Sequence, residues 1–513
     1  MGRNDYGIII LGGGSAGIVS GVVAGALKMR VLLIEKGRLG GECLNTGCVP
    51  SKALLHAAKV ARTVRTAGQV GLRSQPVGRE DAAGVLAHVR DTIRAVEQAD
   101  ATAQLLRDNG VDIRFGDASF RDPHTLVLGG DVLTSDSFIL ATGSRPVAPE
   151  IPGVGDGEYL TNQTVFALEA VPESLLVVGG GPIGVEMAQA FQWLGSRVTL
   201  VQKGDRLLPH DDSEMARRLE GYLRDDGVDV RLNTTLTAVR RTGDVRTGLL
   251  TSGGETAEVP FEHVLFGIGR RPNTEGLNLE AAGVKYDHRG VTVDACLRTT
   301  ASHIYVCGDL LGHDQFSHLA EYEAKAVVRN IVFPGEAKAS FALAPWATFT
   351  EPELAHVGRT EDELKAQGVP YEVYRQPFSQ NDRALTDTNP RGSVKVLTQG
   401  LTGKILGVHI LGSRAGELAQ EWILAMEHGH SIRDVADLIH IYPTLSMASQ
   451  HAAQRWYERH SQAPIAQAAL KAYAHAIRPK QRALAWGVLA AAGLALTWPE
   501  AKKALAELRR EKP

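Results

Sequence analysis

One glycine spacing occurs twice, each time between two buried-strand patterns, and this repeat leaves few folds open to the chain. The first copy is "YGIIILGGGSAG", where an apolar run enters a turn holding Gly12, Gly14 and Gly17 in GxGxxG spacing. Small, uncharged residues follow, and then "RVLLIE", so the local reading is strand, glycine turn, helix, strand. Glu35 stands 18 positions after Gly17, at the end of the second strand, where a carboxylate accepts hydrogen bonds from an adenosine ribose. The spacing alone is a weak signal. With strand, helix, strand and acid together it predicts a dinucleotide site rather than a bland glycine turn.

The second copy lies in "SLLVVGGGPIGVEMAQAFQWLGSRVTLVQ", with Gly179, Gly181 and Gly184 in the same spacing. The position equivalent to Glu35 is Gln202, and Lys203 follows. A neutral amide removes repulsion toward a 2′-phosphate, and Lys203 or Arg206 can pair with one, which tilts the second cofactor toward NADPH. Glutamine also binds a ribose hydroxyl, so NADH stays open. "SFILATGSRP" and "HVLFGIGRRPN" each read as a strand closed by a glycine turn, and "HIYVCGDL" places Asp309 at a strand end, where a carboxylate suits a ligand hydroxyl. From about Phe341 the texture changes to strands followed by helices without a glycine fingerprint, which predicts a separate α+β domain.

Only four cysteines occur in 513 residues, and no charged-then-apolar leader precedes the first strand, so a secreted disulfide framework is not expected. The expected setting is reducing and cytoplasmic. A net charge of −3 gives no reason to expect nucleic acid. Two of the cysteines sit five positions apart in "GGECLNTGCVPSK". In a regular helix that spacing puts them on different faces, beyond the reach of a disulfide. Asn45 and Gly47 between them tolerate irregular backbone, and "PSKALLHAAKVARTV" then reads as a helix, with Cys48 at its N-terminus and Lys52 one turn on. Helix dipole and ammonium both favour a thiolate at Cys48. The spacing does not suit zinc, so a redox pair is favoured over a resident metal site. Cys296 and Cys307 are read as buried apolar side chains.

Over roughly residues 5 to 460 these motifs resemble the FAD-dependent pyridine nucleotide–disulfide oxidoreductases, the family of glutathione reductase, dihydrolipoyl dehydrogenase and mercuric reductase. "GGECLNTGCVPSK" matches the redox segment, "ATGSRP" and "GIGRRPN" the later glycine turns, and "YVCGD" the flavin aspartate. The resemblance implies an α/β fold with two Rossmann-type domains, the second inserted in the first, and a C-terminal α+β dimerisation domain. It implies an FAD-binding domain over 1–148 and 273–339, an NAD(P)-binding domain over 149–272, an interface domain over 340–463 and a helical tail over 464–513. FAD would be held by Gly12, Gly14, Gly17, Glu35, Gly41, Thr142, Gly143 and Asp309; NADPH or NADH by Gly179, Gly181, Gly184, Gln202, Lys203 and Gly269. Cys48 would face the flavin and Cys43 the substrate as a redox disulfide, with Lys52 and Glu186 as an ion pair beside the flavin. Each site of the implied homodimer would include residues of the other subunit.

The chain departs from the family pattern where disulfide-reducing members carry His-Pro-Thr-x-x-Glu. Here the stretch is "HIYPTLSM": Tyr442 replaces the histidine and Met447 the glutamate, with His440 two residues earlier. A phenol has almost no anion available near neutral pH, whereas imidazole accepts a proton there. Oxidation of dihydrolipoamide should suffer, while a soft metal ion held transiently by Cys43 and Cys48 needs no such base. Tyr442 and "AQAFQWLGSRVT" resemble the mercuric reductase branch, yet "KKALAELRREKP" lacks that branch's tail cysteines. The expected substrate is therefore a small molecule or ion, either a soft metal ion or a disulfide. Dihydrolipoyl dehydrogenase and a flavin-bearing redox sensor that does not turn over are the alternatives. "ALAWGVLAAAGLALTWP" (483–499) is uncharged with basic residues on both sides, and reads as a helix packed on the dimer, a membrane-surface or short anchoring helix, or a disordered tail.

Overall fold

A computed structural model describes residues 4–155 and 157–475, together with Gly487. The chain forms two compact bodies, one of residues 1–208 and 220–341, the other of residues 209–219 and 342 onward. In the first body, the strand Tyr6–Leu11 is followed by α1 (Ser15–Ala26) and the strand Val31–Glu35. Then come α2 (Gly41–Asn45), α3 (Cys48–Thr66), α4 (Val85–Asp100) and α5 (Thr102–Asp108).

The first sheet runs in the parallel order 111–115, 31–35, 6–11, 131–140, with 304–306 beside the last, and continues into an antiparallel meander over 118–128. Ile8, Ile9 and Ile10 have no exposed surface, which is why this strand is apolar at every position rather than at alternate ones. The strand Ser174–Val178 opens the second unit, followed by α6 (Pro182–Trp193), the strand Arg197–Val201 and α7 (Ser213–Asp225). Its four-stranded sheet repeats the same parallel order, 229–231, 197–201, 174–178, 263–266. Both glycine turns follow the central strand of their parallel sheet at its carboxyl end, where ligands bind in such sheets. α3 packs on α6, with the Arg62 guanidinium 4.5 Å above the Trp193 ring. The helix α8 (Ser317–Val332) packs on α1.

In the second body a five-stranded antiparallel sheet has the order 346–348, 353–358, 404–412, 393–399, 372–377. The helices Ala415–Glu427 and Met447–Ser461 contribute the fully buried Trp422 and Trp456 to its core. Lys395, in the strand Ser393–Gln399, is also buried and lies 2.8 Å from Asp212, 2.7 Å from Glu361 and 3.1 Å from Glu214. The α+β texture expected after Phe341 is present. The tail begins as the helix Pro464–His475, and the apolar stretch 483–499 lies outside the described residues apart from Gly487. Among the described residues no helix is long and apolar enough to cross a membrane.

Candidate active site

The two glycine turns are built alike. Gly12 has φ +106° and Gly179 φ +114°, and a Cβ on Gly17 or Gly184 would stand 1.8 Å from the carbonyl oxygen of Gly12 or Gly179. Only glycine allows helix and strand to approach so closely. Glu35 accepts hydrogen bonds from the amides of Gly13 and Gly37, both at 2.6 Å. Gln202 does the same work in the second turn: its Oε1 accepts from the Gly180 amide at 3.1 Å, while its amide nitrogen donates to the Arg206 carbonyl. Lys203 is exposed at the end of that strand. A Cβ on Gly181 would meet nothing within 4 Å, and one on Gly14 only the Gly41 Cα at 3.8 Å. Each turn thus leaves an opening in front of the first amides of α1, or of those that follow Pro182 in α6. That donor set fits the pyrophosphate of a dinucleotide.

Around the first opening the later turns converge. Gly41 (φ +57°) lies against Gly14, where a Cβ would stand 2.7 Å from the Gly14 Cα. Thr142 and Asn273 exchange two hydrogen bonds of 2.9 Å, tying the two later glycine turns together, and Gly143 and Gly269 take positive φ there. Asp309 accepts from the Ser144 hydroxyl at 2.5 Å, and Ser144 accepts from Arg270 Nε at 2.8 Å. Arg270 also pairs with Glu42, which accepts from Gln163 Nε2 at 2.7 Å. The Asp309 carboxylate is thereby linked to the helix that carries Cys43.

The cysteine pair lies across the break expected from its spacing. Cys43 is in α2, the chain leaves helical geometry at Thr46 and Gly47, and Cys48 opens α3. Both thiols are free, Cys43 half-buried and Cys48 exposed. A hydrogen bond from the Cys43 thiol brings Cys48 down to about 6; burial opposes this, the Ser317 hydroxyl and the Lys52 charge add to it, and Glu186 opposes it. Cys43 is pushed well up, first by its contact with Cys48 and then by burial, with Ser317 pulling weakly the other way. The two sulfurs thus divide one negative charge unequally, with Cys48 holding it. Lys52 Nζ lies 3.0 Å from Glu186 Oε2 and 3.2 Å from Oε1, so α3 and α6 are joined at the expected ion pair. Because the thiolate exists above the lowered value, alkylation of the reduced protein by iodoacetamide is expected to rise through pH ~6, not near 8.5, and to map to Cys48. A half-rise near 8.5 would contradict the charge division.

Tyr442 lies in the second body, exposed, and donates to Asp382 Oδ2 at 2.8 Å. That hydrogen bond, and then the Asp382 charge, raise the phenol further above its ordinary value, leaving still less anion to act as a base. Met447 begins the helix Met447–Ser461. His440 is not an idle neighbour: its Nε2 lies 3.0 Å from Glu421 Oε2 and its Nδ1 3.3 Å from the Leu438 carbonyl. Sequence reasoning did not find Ser317, Glu42, Arg270, Asp382 or Glu421. Arg270 sits inside the glycine-turn motif "GIGRRPN", which was its one available signal.

Two dinucleotide turns facing a cysteine pair and a lysine–glutamate ion pair define the class of pyridine-nucleotide enzymes that work through a redox disulfide. Residues 6–330 match the model described as pyridine nucleotide-disulphide oxidoreductase and residues 344–453 that of its dimerisation domain, so the chain belongs to the pyridine nucleotide–disulphide oxidoreductase family. It is 37% identical over 472 residues to a dihydrolipoamide dehydrogenase of Chaetomium thermophilum, covering 89% of this chain and 92% of that one. It is 33% identical to a mercuric reductase of Bacillus cereus, covering 87% and 70%. Among solved structures, the Cu(II) complex of the HOCl-induced flavoprotein disulfide reductase RclA from Escherichia coli matches with a TM-score of 0.79 at 26% identity, covering 88% of this chain and all of that one. Members of the family use FAD and NAD(P)H, and the two openings fit those groups.

Proposed function

We propose that this oxidoreductase passes electron pairs from NADPH to a soft metal ion, bound as substrate by Cys43 and Cys48. Bound FAD would supply the two-electron relay between the nicotinamide and the cysteine pair. Gly12, Gly14, Gly17, Glu35, Gly41, Thr142, Gly143 and Asp309 would hold it, within a domain of residues 1–148 and 273–339. Gly179, Gly181, Gly184, Gly269, Gln202 and Lys203 would hold the nicotinamide cofactor, within 149–272. The uncharged Gln202 beside exposed Lys203 supports NADPH over NADH. Lys52, held by Glu186, keeps positive charge close to the Cys48 thiolate. Residues 340–463 would pair two subunits; Ile439 and Ile441, 99% and 79% exposed, support an apolar surface that is covered in a homodimer.

The observation that carries the metal reading is the pairing of a low-lying Cys48 thiolate with a Tyr442 phenol committed to Asp382. Thiolates ligate a soft ion without moving a proton, whereas releasing a thiol from a reduced disulfide needs a proton donor and acceptor. The mercuric reductase relatives, and the Cu(II) complex named for RclA, support the same reading. One observation favours a disulfide acceptor instead: the His440–Glu421 pair has the composition of a proton-handling dyad, and the similarity to dihydrolipoamide dehydrogenase agrees with it.

The test is anaerobic turnover of the purified flavoprotein with NADPH and with NADH, using Hg(II) in excess thiol, Cu(II), lipoamide, glutathione disulfide and a quinone in parallel. Sustained turnover with a metal ion and none with disulfides supports the proposal. Turnover with lipoamide or glutathione disulfide alone would replace it by the His440–Glu421 reading, and a single reduction without turnover by a redox sensor.

A further inference from the structure

One hydroxyl from outside the expected residues stands at the cysteine pair. Ser317 is separated from Cys48 by 269 positions in sequence, yet its Oγ lies 3.7 Å from the Cys48 sulfur, within hydrogen-bond reach for sulfur. It is the first residue of α8, a helix of 16 residues whose N-terminus therefore begins at the reactive sulfur. The α1–α8 packing, with Ala320 and Ala324 of α8 in one core with Ala16 and Ala24 of α1, fixes where that first turn stands. Cys48 also meets the Cys43 thiol, and Lys52 lies one turn along α3.

We propose that Ser317 is a further catalytic residue, whose hydroxyl donates to the Cys48 sulfur and stabilises the dithiol form of the pair with its negative charge on Cys48 rather than Cys43. This rests on the reading of Cys43 and Cys48 as the redox pair. The step it favours balances as follows: two electrons and one proton convert the Cys43–Cys48 disulfide to a Cys43 thiol and a Cys48 thiolate, breaking the S–S bond. A disulfide sulfur is a poor acceptor and a thiolate a strong one, so the Ser317 hydrogen bond strengthens on reduction. Donors aimed at the place where charge develops act without reorganising, and the first amides of α8 add their dipole in the same direction. Beside the Cys43 thiol, Ser317 supplies a second neutral donor to Cys48, and the only one of the two that the redox reaction does not itself consume. Its effect is therefore separable from that of the Lys52 charge by salt, which screens charge and leaves a contact hydrogen bond largely intact.

The experiment equilibrates the flavin-loaded protein in dithiothreitol redox buffers at fixed pH, quenches in acid and counts the Cys43 and Cys48 thiols by mass spectrometry. Dithiothreitol closes to its cyclic disulfide and gives up two electrons and two protons, one proton going to Cys43 and one to solvent. Ser317→Ala is expected to shift the equilibrium about tenfold toward the disulfide, which is a potential ~30 mV more negative. Ser317→Thr, which keeps the hydroxyl, is expected to stay within about twofold of the parent, and flavin content reports the fold of both variants. An equilibrium in Ser317→Ala equal to the parent's would overturn the proposal and leave the redox pair standing. Equal shifts in Ser317→Ala and Ser317→Thr would overturn it too, since packing and not the hydroxyl would then matter. If the parent forms no Cys43–Cys48 disulfide in any buffer, the redox-pair reading falls and the proposal falls with it.

Discussion

Cys48→Ser is expected to lower steady-state turnover with every acceptor by at least about 10³-fold while flavin content and fold are retained. Serine is nearly the size of cysteine, and Cys48 is exposed at the start of α3, so nothing in packing opposes the change. What disappears is the thiolate: a hydroxyl does not ionise at neutral pH, and no disulfide can form with one sulfur. Cys43 is left without a sulfur partner, and once its contact with the Cys48 sulfur is gone, burial still pushes its thiol up. The measurement is NADPH oxidation with each acceptor, beside a count of thiols that appear on anaerobic reduction. Turnover within tenfold of the parent, with any acceptor, would mean that electrons bypass the cysteine pair.

The second large effect concerns stability. Lys395→Met is expected to cost about 3–5 kcal/mol, because it removes the ammonium that pairs with a fully buried Asp212. Burial alone would lower the Lys395 value; Asp212 and Glu361 outweigh it and hold the ammonium charged. Methionine keeps the length of the side chain, so the loss reports charge and not a cavity. Asp212 also accepts from the Met215 amide at the start of α7, which keeps its carboxylate in place when the lysine is gone. Asp212→Asn in the Lys395→Met background is expected to recover part of the loss, the sign of a pairwise interaction. Urea denaturation followed by tryptophan fluorescence reads both. A loss below about 1 kcal/mol would show that Arg375, which pairs with Glu214 at 2.7 Å, carries the compensation instead. Burial pushes Glu361 up, but its hydrogen bonds to Lys395, Lys365 and Tyr371 win and bring it down to about 2. Its folded value is depressed, so its contribution is present above pH ~4.5 and lost as the pH falls toward 2.

Features enforced by the backbone over short stretches were legible from the chain. Gly17 and Gly184 could be read because a Cβ at each meets the carbonyl of Gly12 or Gly179 five residues back, whereas the close approaches of Gly12 to Ala141 and of Gly179 to Gly267 are tertiary and were carried only by the spacing of the motif. The helix break between Cys43 and Cys48, and Lys52 one turn along α3, were legible for the same reason. Glu186 was placed only by resemblance, since no local pattern joins it to a lysine 134 positions away. Ser317 was invisible: a serine opening a helix is an ordinary cap signal, and only the α1–α8 packing puts it at the sulfur. Asp382 and Glu421, which determine what Tyr442 and His440 offer chemically, are also tertiary partners. The grouping of residues 209–219 with the second body likewise has no composition cue; it follows from buried Lys395 meeting Asp212 and Glu214.

The matched hydrogen bonds of Glu35 to Gly13 and of Gln202 to Gly180 bear on how such a scaffold can change its partner molecules. Both side chains brace their turn through one oxygen, and the two residues differ only in whether the second atom is an oxygen or an amide nitrogen. The first hydrogen bond of the brace is common to both turns, while the second follows the atom: an oxygen accepts the Gly37 amide and a nitrogen donates to the Arg206 carbonyl, so charge and loop geometry change together at this position.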